Sequence, residues 1–360
     1  MPLRFTRQFL AAESFEAAGV WDVNGDGVPD IVSGSYWYQG PDFRRRHFLG
    51  DSRRVGEYWS DFSVVPLDVN GDGRTDFITG GYWGDFQWRE CPADPTQPWV
   101  AHPLPAVGNI ETTRAWDLDG DGVLEIVPNT PPQALQVLKL VTDAQGRGTG
   151  QFTTHVLKAG PSGHGLGCGD LAGHGRADLV LAQGWLEAPA RPWDEPWVFH
   201  PEFDFGNASI PILVADVNGD GVNDLIVGQA HGYGLHWYEP VRQADGTRRW
   251  TQHLIDSRHS QYHDLRWADL DGDGRPELIT GKRWRAHNGR DPGEFDDVGI
   301  YYYRWDGARF IPHVISHGPP GVGAGCGIQF ALADLRGTGR LDVVAPGKDG
   351  LQVFFNEGPA

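Results

Sequence analysis

A nine-residue acidic block recurs seven times along this chain, and no other sequence feature constrains the fold as strongly. Its pattern, intact in five copies, is Asp-x-Asn/Asp-Gly-Asp-Gly-x-x-Asp/Glu, and the seven copies begin at residues 22, 68, 117, 170, 216, 269 and 334. Successive copies start 46 to 65 residues apart. Repetition at this period is typical of proteins built from radially arranged sheets or stacked units.

Each repeat unit contains four segments that read as β-strands. One apolar segment precedes the block and another follows it, as at residues 224–228. An aromatic run and a β-branched segment complete the unit, as at residues 235–239 and 250–255. We label these strands A to D, so that the block forms the A–B loop. The pattern predicts an all-β fold, a seven-bladed β-propeller of four-stranded blades, as a single domain over residues 1–360.

The two ends of the chain favour a closed ring. Residues 5–10 resemble a D strand but stand before the first A strand, whereas the last unit has A, B and C strands and no D. We therefore expect residues 1–10 to complete the last blade. This arrangement removes an open sheet edge, and a stacked solenoid would not need it.

Five of the seven blocks have side-chain oxygens at positions 1, 3, 5 and 9, the ligand type that hard cations prefer. Asp-Gly hairpin turns alone would account for one or two such blocks. Five copies instead favour structural Ca²⁺, or Mg²⁺, in up to five A–B loops. The predicted ligands are Asp22, Asn24, Asp26, Asp30, Asp68, Asn70, Asp72, Asp76, Asp117, Asp119, Asp121, Glu125, Asp216, Asn218, Asp220, Asp224, Asp269, Asp271, Asp273 and Glu277.

The other two blocks have lost ligand oxygens. One carries Ala172 and His174, and the other carries Arg336 and Thr338. We expect no hard metal in either loop. The Arg336 guanidinium is able to replace a cation, and His174 is interpreted as a surface substitution rather than a catalytic residue.

Charge and cysteine content exclude several classes of function. The chain has 48 acidic and 30 basic residues, a net charge of −18, which argues against nucleic acid and anionic membranes as partners. Three cysteines cannot form a disulfide framework. The sequence shows neither a membrane-span pattern nor a signal-peptide pattern, so we predict a cytoplasmic location.

The fourteen histidines divide into two groups when the repeat is taken into account. Six recur at one place in strand D and are interpreted as structural: His47, His102, His155, His200, His253 and His313. Six others fall in D–A or B–C loops, on the face opposite the blocks: His164, His231, His259, His263, His287 and His317. Convergence of unrepeated histidines on one rim indicates a functional site, although scattered surface loops remain the alternative. His174 and His236 belong to neither group.

Aromatic and cationic residues accompany the histidines in the same loops. Aromatic faces with interspersed polar groups suit sugar rings, although Trp and Tyr also fill gaps between blades. The predicted substrate-binding residues are Trp59, Trp83, Trp185 and Arg114.

The blocks resemble FG-GAP/VCBS repeats, the units of integrin-α propellers, over nearly the whole chain. More narrowly, five segments resemble the propeller domain of fungal aldos-2-ulose dehydratase and its bacterial relatives. They lie at residues 163–170, 184–189, 230–234, 261–263 and 281–293. The fungal enzyme also has a cupin domain; the seven repeats account for the whole of residues 1–360, so we expect no isomerising step from such a domain here.

The narrower resemblance implies dehydration of a keto-sugar such as 1,5-anhydrofructose or an aldos-2-ulose, with Zn²⁺ or another transition metal at the rim. Candidate ligands are His164, His231, His263, His287, Glu187 and Asp291. Lys282 and Arg283 would stabilise an enolate, and Tyr233, His231 or His263 would move a proton.

Other functions stay open at this stage. A non-catalytic glycan-binding propeller of the lectin or adhesion type would need only structural ions. A polysaccharide lyase, or a hydrolase of oxidised glycosides, would also use a metal and the aromatic rim. An open groove would favour a polymer, and a closed pocket would favour a monosaccharide.

Overall fold

Seven four-stranded antiparallel sheets make up the computed structural model, which describes residues 1–245 and 247–360. Blades one to three have these strands: β2 (Gly19–Trp21), β3 (Asp30–Ser33), β4 (Tyr36–Gln39), β5 (Arg45–Phe48); β8 (Val65–Leu67), β9 (Asp76–Gly80), β10 (Phe86–Glu90), β11 (Val100–Pro103); β12 (Thr112–Trp116), β13 (Glu125–Asn129), β14 (Leu135–Thr142), β15 (Gly148–Lys158). Between the first two blades lies a short hairpin of β6 (Arg54–Val55) and β7 (Tyr58–Trp59).

Blades four to six continue the same order: β16 (Leu166–Gly169), β17 (Asp178–Leu181), β18 (Gly184–Glu187), β19 (Val198–His200); β20 (Leu213–Ala215), β21 (Asp224–Gly228), β22 (Tyr233–Arg242), β23 (Arg248–Ser260); β24 (Tyr262–Ala268), β25 (Glu277–Lys282), β26 (Val298–Trp305), β27 (Phe310–Gly318). Blade seven contains β28 (Ala331–Ala333), β29 (Asp342–Ala345), β30 (Leu351–Pro359) and β1 (Leu3–Ala11). The described residues contain no helix, and thus no helix that could cross a membrane.

The N-terminal strand closes the ring as the sequence predicts. β1 lies beside β30, with a register that runs from Leu3 opposite Pro359 to Ala11 opposite Leu351. The seven-bladed propeller predicted from the repeat is therefore confirmed, including its split last blade.

The hydrophobic core is divided into seven clusters, one between each pair of neighbouring blades. Strand B is buried along its whole length in every blade, as in Asp224–Gly228, because it is covered on both faces. This burial explains why the B segments are continuous apolar runs rather than alternating ones.

The acids at block positions 1 and 9 shape the A–B loop in intact and degenerate blocks alike. Asp22 accepts hydrogen bonds from the amides of Gly25 (2.8 Å) and Gly27 (2.7 Å), and the acid that begins the degenerate fourth block does the same. Both glycines have positive φ, 72° and 84°, a conformation that favours glycine. Asp30, at position 9, is buried and accepts from the amides of Val23 (2.9 Å) and Gly40 (2.8 Å). Acids at these two positions are thus required by the turn itself, whereas the residues at positions 3 and 5 are acids or amides only in the five intact loops.

The recurrent strand-D histidines pack against the neighbouring C strand, as interpreted from the repeat. The imidazole of His102 stacks on Trp88 with ring centroids 4.2 Å apart, and its Nε2 lies 2.7 Å from the Glu90 carboxylate. The same His–Trp–Glu arrangement recurs in blades four and five. These contacts support the structural role of the group.

Candidate functional site

Four of the six unrepeated rim histidines meet at one place. His164 precedes blade four, His231 lies in the B–C loop of blade five, and His263 is in the A strand of blade six. His287 belongs to the long B–C loop of blade six. Ring centroids are 4.5 Å apart for His164 and His231, 5.2 Å for His231 and His263, and 4.1 Å for the stacked pair of His231 and His287. Residues from blades four, five and six therefore build one histidine cluster, which consists of these four residues.

The hydrogen bonds of His164 leave one of its nitrogens facing the cluster. Its Nδ1 lies 2.8 Å from the carbonyl oxygen of Ala208, so Nδ1 carries the proton and Nε2 has a free lone pair. That lone pair meets Nε2 of His231 at 3.0 Å. Either the Nε2–H group of His231 donates a hydrogen bond to His164, or the two nitrogens bind the same cation.

The nitrogen spacing within the cluster is similar to that of a zinc site. Zn–N bonds of about 2.0–2.1 Å in a tetrahedral site place ligand nitrogens roughly 3.3 Å apart, close to the spacing of His164 and His231. One ligand atom each from His164, His231 and His263 lies within 4.8 Å of the others, and so does the group of His231, His287 and Asp291. A carbonyl or carboxylate that orients each imidazole is the usual outer shell of such a site.

Burial keeps the inner imidazoles neutral. Burial lowers the pKa of His231 to about 2, with further effects from His164 and His287. Burial also lowers the pKa of His164, and it holds the pKa of His263 well below its ordinary value together with the nearby Arg283 guanidinium. Neutral imidazoles are the form that binds metal ions and accepts protons.

Asp291 lies beside the outer part of the cluster. Its Oδ2 is 2.8 Å from His287 Nδ1 and 3.4 Å from His231 Nδ1. The shorter contact orients the His287 ring, leaving its Nε2 for another partner.

Arg283 is buried beside the histidine cluster. Its side chain is 1% exposed; its Nε donates to Glu16 Oε2 at 2.6 Å, and its Nη1 lies 3.2 Å from His263 Nε2. Its Nη2 has no hydrogen-bond partner among the described residues. Burial alone would raise the pKa of Glu16, but Arg283 and Lys348 hold it below its ordinary value.

A cavity of about 250 Å³ adjoins the cluster. Arg283 and His287 belong to its wall, and Glu111 connects it to the cluster with its Oε2 3.9 Å from His164 Nε2. The remaining lining residues are mostly aromatic or polar: Tyr58, Phe62, Tyr82, Trp83, Asn288 and Arg290. The cavity therefore presents two guanidinium groups, a carboxylate and an imidazole beside an aromatic wall.

The structure does not bring Glu187 to the histidine cluster. Its Oε2 is 2.9 Å from Nε2 of His200, the strand-D histidine of its own blade, so it repeats the pairing of Glu90. Trp185 is likewise buried within that blade, stacked on His200 at 4.3 Å. Neither residue lines the cavity, and the sequence-based rim ligand and substrate contact assigned to them are corrected accordingly.

Lys282 and Tyr233 also differ from their predicted roles. Lys282 is buried, and its Nζ donates to the carbonyl oxygens of Gly293 and Asp296, which anchors the long blade-six loop. Tyr233 is exposed and its hydroxyl donates to the Asp296 carboxylate. Both side chains hold this loop rather than face the cavity.

The remaining predicted contacts divide between the cavity and other places. Trp83 lines the cavity, whereas the indole nitrogen of Trp59 donates to Ser14 Oγ at 3.0 Å. Arg114 is buried inside the ring and contacts Asp264 rather than the cavity.

The two other rim histidines form a separate group with Tyr301. His259 stacks on its ring at 4.4 Å, and His317 Nδ1 lies 2.9 Å from its hydroxyl. They lie outside the histidine cluster.

Sequence reasoning missed Glu111 and Glu16, because the two acids stand singly in loops with no repeated pattern. Glu111 contacts His164 and Glu16 contacts Arg283, and each contact joins residues of different blades. No local signal predicts such pairs.

The A–B loops of the two degenerate blocks differ in the side chain that contacts their acids. In blade seven, Arg336 Nη2 is 3.4 Å from Asp342 Oδ1, consistent with the expectation that this guanidinium replaces a cation. In blade four, His174 lies between Asp170 and Asp178, 3.4 Å from each carboxylate.

Comparisons with known proteins support the fold. Residues 202–280, which cover the fifth blade and the first two strands of the sixth, match the family described as FG-GAP-like repeat. Two crystal structures of BBS1N in complex with ARL6DN, soaked with mercury or lead, are similar, each with a TM-score of 0.55 and 13% identity. They cover 99% and 98% of this chain and 97% and 96% of theirs.

The V. cholerae biofilm matrix protein Bap1 matches with a TM-score of 0.37 and 20% identity, over 75% of this chain and 40% of its own. No curated protein matches the sequence. The chain is thus a seven-bladed β-propeller with an FG-GAP-like repeat in its fifth and sixth blades.

Proposed function

We propose that the protein is a metal-dependent carbohydrate lyase that eliminates water from a small keto-sugar, such as 1,5-anhydrofructose or an aldos-2-ulose. The observation that carries the proposal is the histidine cluster beside the cavity. A purely structural rim would not require three neutral imidazoles from three blades with their nitrogens close together.

The size of the cavity favours a small substrate. Its volume of about 250 Å³ is just below the ~300–1,000 Å³ of pockets that hold drug-sized ligands. A monosaccharide is the carbohydrate that suits such a space, which makes a polysaccharide lyase the weaker alternative. The aromatic rings of Tyr58 and Trp83 offer faces for a sugar ring.

Dehydration next to a carbonyl has three chemical requirements. A base removes the proton α to the carbonyl, a positive group stabilises the enolate, and an acid protonates the departing hydroxyl. The α C–H and β C–O bonds break, a C=C bond forms, and water leaves. Zinc held by His164, His231 and His263 would supply Lewis-acid stabilisation of the carbonyl oxygen.

The residues of the chain supply the other requirements. The free Nη2 of Arg283 would donate to the enolate oxygen, because no described protein group uses it. His287, oriented by Asp291 at 2.8 Å, would take the α-proton, and Glu111 on the cavity wall would move the proton to the departing hydroxyl. These roles replace those assigned from sequence to Lys282 and Tyr233.

Turnover of 1,5-anhydrofructose and glucosone, followed by the ultraviolet absorbance of the unsaturated product, tests the proposal. With zinc supplied, we expect wild-type turnover and a fall of about 10²–10⁴-fold for His287→Gln, the range for loss of a general acid–base group. His317→Gln is the matched control, because it replaces a rim histidine outside the cluster. A zinc-loaded wild type with no turnover of keto-sugars, or a fully active His231→Ala variant with unchanged zinc content, would rule the proposal out.

A non-catalytic glycan-binding propeller is the second candidate, and the aromatic wall of Tyr58, Tyr82 and Trp83 favours it. In that case sugars would bind without being converted. Binding would also survive His287→Gln and be lost in Trp83→Ala.

For the A–B loops of blades one, two and five, we propose structural Ca²⁺ or Mg²⁺, as the acids and amides at positions 1, 3 and 5 supply hard oxygen ligands. At an ion concentration 100 times its Kd, each filled loop would contribute about 2.7 kcal/mol to the free energy of unfolding. Chelation with EDTA should therefore lower the melting temperature by at least about 5 °C. An unchanged melting curve would contradict these three sites.

A further inference from the structure

One position of strand C faces the acidic block in every blade. It lies two residues after the strand-C residue that pairs with the recurrent site of strand D. In blade order this position is occupied by Gln39, Glu90, Lys139, Glu187, Glu239, Arg304 and Phe355. Only blades three and six have a basic residue there.

The residue types at block positions 3 and 9 vary with the residue type at this strand-C position. Where strand C has Lys139 or Arg304, block position 3 is Asp and position 9 is Glu; in blades one, two and five, position 3 is Asn and position 9 is Asp. A basic residue is thus accompanied by one additional carboxylate and by a longer acid at position 9. Such joint change within one chain indicates that these side chains are in contact, and the structure shows the contact.

In blade three, the ammonium group of Lys139 lies among the acids of its block. Its Nζ is 2.7 Å from Asp119 Oδ2, 2.7 Å from Asp121 Oδ2 and 2.7 Å from Glu125 Oε1. An ammonium has three donors, and all three are used by carboxylates. The indole of Trp193 also donates to Asp119.

Blade six repeats the arrangement with a guanidinium. Arg304 donates from Nε to Glu277 Oε1 at 2.9 Å and from Nη2 to Asp271 Oδ2 at 2.6 Å. The same two block positions, 3 and 9, are therefore engaged as in blade three.

The other intact blocks have no such cation from strand C. In blade two, Glu90 Oε1 accepts from the Asn70 amide at 3.3 Å, and the equivalent contact in blade five, between Asn218 and Glu239, is also 3.3 Å. Arg74 of blade two contacts Asp72 alone among the acids of its block.

We propose, resting on the divalent-ion loops proposed above for blades one, two and five, that blades three and six carry a tethered cation, Lys139 or Arg304, in the equivalent place. A divalent ion would have to share the oxygens that already surround a positive side chain at 2.6–2.9 Å, and the two positive charges would repel each other. The protein then has at most three divalent ions in intact A–B loops, not five. Blades three and six keep their loops folded without calcium.

Terbium, a luminescent substitute for calcium, tests the proposal at blade three because Trp193 lies within energy-transfer distance, with its ring 5.4 Å from Lys139 Nζ. Sensitised terbium emission that is lost on the Trp193→Phe substitution measures terbium bound in the blade-three loop. We expect no Trp193-dependent emission from the wild type. We expect this emission to appear in Lys139→Met and to be lost again in the Lys139→Met, Trp193→Phe double variant.

Lys158→Met is the matched control, because it removes a lysine from the same blade without touching the block. Emission dependent on Trp193 in the wild type would overturn the proposal, and this arm needs no variant of Lys139. A folded Lys139→Met protein that gains no emission would overturn it as well, since the lysine would then not stand in a metal position.

Discussion

Deletion of residues 1–11 is expected to abolish the stable ring. Strand β1 (Leu3–Ala11) hydrogen-bonds along β30, and Leu3 is buried in the core between blades six and seven. Each fully buried large apolar side chain contributes about 1.5–3 kcal/mol, and each backbone hydrogen bond about 0.5–1.5 kcal/mol. The total loss exceeds about 5 kcal/mol, which is comparable with the whole stability of many proteins.

We expect the truncated protein to aggregate or to melt more than about 10 °C below the wild type, as measured by circular dichroism and size-exclusion chromatography. Removal of Met1 and Pro2 alone is the control, because it leaves β1 complete. A peptide of residues 1–12 added in trans should restore part of the lost stability. A truncated protein that melts like the wild type would show that the ring does not depend on this strand.

Replacement of Arg114 by methionine has the second large expected effect, a loss of about 3 kcal/mol in the free energy of unfolding. The guanidinium is buried and donates to Thr112 Oγ1 at 2.9 Å, to Asp264 Oδ1 at 3.1 Å and to Gln329 Oε1 at 3.3 Å. These partners belong to blades three, six and seven, so one side chain connects distant parts of the ring. Removal of one member of a buried ion pair costs about 3–5 kcal/mol because the other charge is left buried, and Asp264 keeps Arg266 as a partner.

Urea denaturation of Arg114→Met and Arg191→Met measures this effect. The exposed pair of Arg191 and Glu195 is the control, and its loss should change the free energy of unfolding far less than the loss of Arg114. Equal losses for the two arginines would mean that the central network does not hold the blades together.

The fold was predictable because its rules are local and repeated. The block contains its own turn chemistry, with Asp22 binding two amides and Gly25 and Gly27 in the left-handed region. Seven copies made the period unmistakable. The split last blade followed from counting strands at the two ends, and strand pairing confirmed it.

The site was predictable only in part. Subtraction of the repeated histidines left six, of which His164, His231, His263 and His287 converge. Glu187 was misassigned, although the same acid stands two residues after Trp88 and Trp237 in other blades. Histidines that recur at one place in several blades were interpreted as structural. The same criterion, applied to the acids, would have identified Glu187 as structural.

Roles within the site depended on geometry that a sequence does not contain. Lys282 and Arg283 are neighbours in the chain, but one holds carbonyl oxygens of its own loop and the other reaches Glu16 across the ring. Successive side chains of an extended strand point to opposite faces, so Lys282 and Arg283 point in different directions. Only the packing of distant loops decides which of the two faces the cavity. Glu111 was missed for the same reason, since its contact with His164 joins different blades.

The central claim is that the rim histidines bind a transition metal, and diffraction on either side of the zinc absorption edge tests it most directly. Crystals of the protein supplied with one equivalent of zinc should give an anomalous peak bounded by His164, His231 and His263. The peak should be absent from His231→Ala crystals and present in His317→Gln crystals. Crystals with no zinc peak at these histidines, and with ions only in the A–B loops, would contradict the account.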